Sequence, residues 1–196
     1  MVTNDDQLAA KIRLMCNFGF SGYDNVVYSG TSGKMTEVCA AMGITSLEAI
    51  TELVDNNQRN YECYQRGLRG LNGLSLISYD SCDANNFQYI VVEVNPDVAG
   101  LTRDELVEVL HAENVLARKY FWPGCHRMEP YKSYYPNAGL LVPENERVSA
   151  RIIVLPTGTA VGSGDIELIC RIVRMALGRS AELRHVLRER RAKEIE

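Results

Sequence analysis

The chain has 196 residues and a formal net charge of −4, a length that suits one domain or one domain with an extension. Its acidic balance argues against a nucleic-acid partner, whose binding rests on phosphate neutralisation by Lys and Arg, and no apolar run approaches the roughly 18–20 residues of a membrane span. Cys16, Cys39, Cys63, Cys82, Cys125 and Cys170 are scattered without C-x-x-C pairs or histidines at metal-ligand spacing, which reads as reduced structural thiols and no metal site. The opening MVTNDDQLAAKIRL lacks the basic and apolar regions of a secretory signal, so cytoplasm is the expected compartment.

Asn4-Asp5-Asp6 is a helix entry, and Leu8, Ile12 and Met15 recur at helical spacing up to a stop near Asn17 to Gly19. Phe20 to Ser32 reads as a loop by its Gly, Ser, Asn and Asp content. The most informative stretch follows: GTSGKMTEVCAAMG, Gly30 to Gly43, a glycine-rich loop expected to tip into a helix whose free N–H groups and dipole favour an anion. Ser32, Gly33 and Lys34 are the candidate phosphate contacts, and an ordinary helix cap is the alternative. Cys39, Ala40 and Ala41 make a thin helix wall that another backbone can approach.

Thr45 and Glu48 have capping-box spacing and predict the start of a long second helix, with Leu47, Ile50, Val54, Tyr61, Tyr64 and Leu68 on one face and an exit at Gly67 and Gly70. That tyrosine stripe reads as core packing. The period then changes: LSLISY alternates as a strand, and FQYIVVEV is apolar on both faces like a central one. A second capping box, Thr102 with Glu105, opens a helix through Leu106, Val107 and Leu110, and Val115 to Tyr120 reads as a further strand. Pro123, Gly124 and Pro130 mark turns, Pro143 to Ser149 a short helix, Arg151 to Leu155 a last strand, and Ser163 or Gly164 to Gly178 a helix. The arginines of Arg179 to Arg191 are interleaved with Glu182 and Glu189, as on a solvated helix face.

The Gly30–Gly43 stretch resembles the G-x-N-x-R-M-S-E-x-x-A-A-x-G motif of the DegT-type nucleotide-sugar aminotransferases, pyridoxal phosphate enzymes of fold type I. Gly30, Met35, Thr36, Glu37, Ala40, Ala41 and Gly43 fall in register, while Ser32 stands for the motif asparagine and Lys34 for its arginine. The resemblance extends over about Val2 to Leu177. It implies an α/β (α+β) fold: the small carboxy-terminal domain of a fold-type-I aminotransferase, long helices packed with a small, mostly antiparallel sheet. The implied organisation is an interface helix, loop and linker over 1–45, the small domain over 46–178 and a helical tail over 179–196.

The resemblance also implies the chemistry. The family asparagine reaches the cofactor phosphate of the neighbouring subunit, so Ser32 and Gly33 are expected at that phosphate, with Lys34 directed to it or to the substrate diphosphate. KYFWPGCH, Lys119 to His126, resembles the H-Y-x-P-x-H segment that lines the sugar-nucleotide pocket, with Tyr120 or Phe121 in the aromatic place, Pro123 in the proline place and His126 as the final histidine. Trp122, the one tryptophan, suits stacking on a base or sugar; a hydrogen-bonded structural histidine in a turn is the alternative for His126. None of Lys11, Lys34, Lys119, Lys132 and Lys193 occupies the family's aldimine position, which lies upstream of residue 1. The expectation is therefore a truncated or split aminotransferase, with no catalytic residue of its own, that shares pyridoxal phosphate, a nucleotide-linked keto sugar and an amino donor (glutamate or glutamine) with a second copy or a large-domain partner. The alternative is a non-catalytic module docking on a complete subunit.

Overall fold

The computed structural model describes residues 2–80 and 82–193, so residues 194–196 of the expected tail lie outside the described residues. The chain divides into two compact units, Met1–Ile50 and Thr51–Glu196.

In the first unit, α1 (Asp6–Cys16) starts where the Asp5 carboxylate accepts from the Leu8 N–H at 3.0 Å. The stretch expected as a loop instead begins with a hairpin, β1 (Phe20–Gly22) paired antiparallel with β2 (Asn25–Val26). Asp24 turns it with a φ of 56°, a conformation Asp tolerates better than most residues, and Asn25 Nδ2 donates to Ser21 Oγ at 2.6 Å. The last element of the unit, α2 (Glu37–Glu48), is capped by Thr36, whose hydroxyl accepts from the Cys39 N–H at 3.3 Å. The expected capping box at Thr45 does not form. Thr45 lies inside α2 and its hydroxyl donates back to the Ala41 carbonyl at 3.1 Å, so the break between helices falls at Ala49.

The second unit is built on α3 (Ile50–Gly67) and a three-stranded sheet of β3 (Leu74–Leu76), β4 (Ile90–Val94) and β5 (Ile152–Leu155), in that order and antiparallel throughout. As its double-sided apolar pattern predicts, β4 is the central strand. The short α4 (Pro96–Ala99) and then α5 (Arg103–Ala112) follow. The Thr102–Glu105 box is present on both sides: the Glu105 N–H donates to Thr102 Oγ1 at 3.2 Å, and the Thr102 N–H donates to Glu105 Oε2 at 2.8 Å. The expected strand Val115 to Tyr120 reduces to one bridge, Arg118 with Val154 on the outer side of β5, because the chain turns at once through a Trp122 N–H to Lys119 carbonyl bond of 2.8 Å.

Two short helices, α6 (Tyr131–Tyr134) and α7 (Pro143–Ser149), then lead into β5, and α8 (Ser163–Gly178) and α9 (Ser180–Lys193) close the unit. The core joins Tyr61, Tyr64 and Leu68 of α3 to Ile90, Val92 and Val94 of β4, Leu106 and Leu110 of α5, and Ile166, Ile169 and Val173 of α8. Each such side chain contributes about 1.5–3 kcal/mol by leaving water. The tyrosine stripe is core, as its spacing predicts, and it carries one polar tie: the Tyr64 hydroxyl donates to the Pro156 carbonyl at 2.9 Å, while burial raises its pKa. The architecture is the expected mix of long helices and small antiparallel sheet.

Candidate functional sites

The six candidate residues fall in both units, Ser32, Gly33 and Lys34 in the first and Tyr120, Trp122 and His126 in the second.

Gly30 and Gly33 serve close packing against the end of α1. A Cβ on Gly30 would stand 2.3 Å from the Met15 carbonyl oxygen, and the Thr31 N–H donates to that same oxygen at 2.9 Å. The Gly33 N–H donates to the Cys16 and Thr31 carbonyls, both at 2.9 Å. It is therefore not the free anion donor expected of it, since its hydrogen points into the loop. Nor does the loop run straight into the helix, because Lys34 and Met35 precede the Thr36 cap. Ser32 and Lys34 are exposed, and neither side chain has a hydrogen-bond or ionic partner among the described residues. A hydroxyl and an ammonium donate to phosphate oxygens, so these two fit the phosphate end of pyridoxal phosphate and Gly33 does not.

In the second unit, Lys119 to Arg127 is held at three points. Asp104 accepts from Lys119 Nζ at 2.6 Å and from Arg103 Nε at 2.9 Å. Burial pushes the Asp104 carboxyl up, but the Lys119 hydrogen bond and the Arg103 charge outweigh it and the net shift is downward. Arg103 is 2 % exposed. Its Nη1 donates to the Ser149 and Ile152 carbonyls at 2.9 and 3.1 Å, its guanidinium lies 5.0 Å from the Trp122 ring centroid, and its buried Nη2 has no hydrogen-bond partner among the described residues. The third point is Glu146 on α7, which accepts from His126 Nε2 at 2.5 Å and from Arg127 Nε and Nη2 at 2.7 Å each. The Arg127 and His126 hydrogen bonds hold its pKa at about 2.

Tyr120 packs beside Tyr89 and Phe121, with centroids 5.5 and 4.3 Å away. Trp122 is half-exposed above Arg103. A cavity of about 850 Å³ opens at His126, where Arg127, Lys132, Asn137 and Glu146 share the lining with Leu140 and prolines, a mix of a few polar groups and apolar surface of the kind that holds a small ligand. The structure thus places Trp122 and His126 on one short segment and adds two residues that sequence reasoning missed, Arg103 and Glu146. Among the described residues no group of three or more His, Cys, Asp or Glu is arranged to hold a metal, and no helix is long and apolar enough to cross a membrane.

Comparison with known proteins gives these features a context. The sequence model described as the DegT/DnrJ/EryC1/StrS aminotransferase family matches residues 1–174. A dTDP-4-amino-4,6-dideoxy-D-glucose transaminase of Shigella dysenteriae is 29% identical over 176 residues, which are 89% of this chain and 47% of that protein. The GDP-perosamine synthase of Caulobacter vibrioides is 26% identical over 171 residues, 86% of this chain and 45% of that one. The crystal structure of DesI in the presence of its TDP-sugar product superposes with a TM-score of 0.81 at 44% identity, over 95% of this chain and 47% of that one. DesV of S. venezuelae shares the fold, with a TM-score of 0.77 at 23% identity over 90% of this chain and 46% of that one. The chain spans about half the length of the relatives it matches, and it belongs to the DegT/DnrJ/EryC1/StrS aminotransferase family.

Proposed function

We propose that this chain is the carboxy-terminal portion of a cytoplasmic, pyridoxal-phosphate-dependent aminotransferase that transfers an amino group from glutamate or glutamine to a keto-deoxysugar carried on a nucleoside diphosphate. The observation that carries this reading is the likeness to DesI, 44% identical over 95% of this chain and solved with a TDP-sugar product. The cofactor, when bound, supplies the electron sink that amino transfer needs. Ser32 and Lys34 donate to its phosphate from the exposed edge of the first unit, reaching a neighbouring copy or a partner large domain. The substrate diphosphate is the alternative target of the Lys34 charge. Tyr120 and Trp122 offer flat surfaces to the base or sugar, and His126 hydrogen-bonds the sugar. The lysine that holds the cofactor comes from residues outside these 196.

The experiment is an absorbance titration of the purified chain with pyridoxal phosphate, followed by borohydride reduction and mass mapping. The expected result is no stoichiometric adduct at Lys11, Lys34, Lys119, Lys132 or Lys193. A trapped adduct at one of them would make the chain an autonomous cofactor carrier and sink this division of labour.

A further inference from the structure

The first unit has almost no interior. Of its described residues only Gly19 is buried, and every member of the hydrophobic core belongs to the second unit. Two helices and a hairpin without a core of their own do not offset the entropy of ordering them, so their apolar surface has to be covered from outside the unit.

Two surfaces stand open. The first is α2, in which every residue except Ala40 is exposed. Its two charges, Glu37 and Glu48, are its end residues. The apolar side chains between them point in several directions, with Val38 and Met42 one turn apart on one side and Ile44 and Leu47 on another. Val38, Met42 and Leu47 are 68–70% exposed. A helix that is apolar all round is one that a protein buries. The second surface is a groove of about 460 Å³ along α1, lined by Leu8, Ile12, Met15, Cys16 and residues 29–31.

A membrane does not suit α2. Its 12 residues reach about 18 Å, short of the roughly 30 Å of a bilayer core, and it has no basic face to lie along headgroups. A twofold contact with a second copy would press one patch against itself and leave the other side of α2 bare. A larger partner that wraps the helix is needed. DesI matches 95% of this chain with 47% of its own, so the counterparts of both surfaces lie in a chain with roughly as many residues again to cover them.

We infer that α2 and the α1 groove are the docking surface for a polypeptide partner, the half of a DegT-family chain that these residues do not span, which packs on Val38 and Met42 on one side of α2 and on Ile44 and Leu47 on another. This rests on the reading of the chain as the carboxy-terminal portion of an aminotransferase, and it names the surface by which that portion is joined to the rest.

The test is co-expression of the full chain with the half of DesI that it does not match, without pyridoxal phosphate, read by molecular mass and by amide hydrogen exchange. The same half co-expressed with the DesI segment that this chain matches is the positive control. The expected result is a one-to-one complex in which the amides of α1 and α2 exchange at least roughly tenfold more slowly than in the lone chain, while those of β4 are unchanged. Met42→Lys and Leu47→Lys each place a charge on a different side of α2. Both positions are exposed in the lone chain, so its urea midpoint should not move, yet each change should abolish the complex by burying an unpaired ammonium. Met42→Leu should keep it.

No complex with a half that pairs with its own DesI segment overturns the inference, as does a complex that tolerates both lysines or leaves α2 exchange unchanged. Slow α2 exchange in the lone monomer, or in a concentration-dependent homodimer, also overturns it, since either shows the helix covered without this partner. A complex that forms as expected but retains no added pyridoxal phosphate supports the docking surface and counts against the proposed chemistry alone, which separates the two failures.

Discussion

Replacing Arg103 with Met removes a buried guanidinium while roughly keeping its length. Two charge-assisted bonds disappear, to the Ser149 and Ile152 carbonyls, each worth about 1.5–3 kcal/mol. The bond to Asp104 adds little, because that carboxylate is half-exposed and keeps Lys119. Against these losses stands the wild-type Nη2, buried without a partner, whose removal returns about 1–3 kcal/mol. The net expectation is a destabilisation of about 2–3 kcal/mol. At a urea m-value of about 2 kcal/mol/M, the midpoint of the second unit should fall by roughly 1–1.5 M. Trp122, the one tryptophan, stacks on this guanidinium, so its fluorescence follows the transition and its native emission should shift toward that of a wetter ring. Arg103→Lys should recover only part of the loss, since an ammonium lacks the planar fork that serves both carbonyls and the ring. A midpoint for Arg103→Met within roughly 0.3 M of wild type, a fraction of the loss that m-value implies, would refute the assignment of Arg103 as the keystone under the Trp122 segment.

Tyr64→Phe leaves the Pro156 carbonyl without its 2.9 Å donor and should cost about 1–2 kcal/mol in urea unfolding; a neutral change would mean that water replaces the hydroxyl. Gly67→Ala would ordinarily gain about 0.5–1 kcal/mol of helix propensity, but its Cβ would stand 2.5 Å from Cys170 Sγ, so a net loss of about 1–2 kcal/mol is expected from overpacking. Cys170→Ala in the same chain should relieve part of it, and strict additivity of the two changes would contradict the clash. For Glu146 the folded pKa lies below the ordinary 4.5, near 2, so its stabilisation is fully present above about pH 4.5 and is lost as pH falls through 2. Wild type should therefore lose more of its urea midpoint than Glu146→Gln across that window, and parallel curves would count against the ion-pair account. Ser32→Asn, which lengthens the side chain toward the expected phosphate, should tighten pyridoxal phosphate retention in a complex reconstituted with a full-length relative, and unchanged retention would count against Ser32 at that phosphate.

What was legible in the sequence was mostly what is local. The Thr102–Glu105 box is written within four residues and forms as read. The Pro143 helix begins where a proline needs no amide partner, and the apolar double face of Ile90–Val94 announces a strand paired on both sides. Thr45 misled because its hydroxyl has two local partners to choose between, a cap N–H that would donate to it and the Ala41 carbonyl to which it donates, and nothing in TSLE says that the helix has already begun at Glu37. The hairpin at Phe20 was hidden by polar residues that serve turns and irregular loops alike. Arg103 and Glu146 carry no local signal. One follows a capping threonine and the other sits in the charged run PENER, where each looks like a solvated side chain, and only partners 46, 49 and 20 residues away reveal them.

The single bridge at Arg118 and Val154 has a consequence for how the second unit breathes. The amides of β4 are locked between two neighbours, so their exchange with solvent should require unfolding of the whole sheet. The segment after Arg118 hangs from the outer edge of β5 by that bridge and from three side-chain tethers, at Asp104, Arg103 and Glu146. Opening it locally, with the sheet beneath still closed, costs those tethers and the Tyr120–Tyr89 ring contact. If Trp122 and His126 bind a ligand as proposed, the protection of this segment from exchange should rise with any molecule that bridges them, while that of β4 stays unchanged.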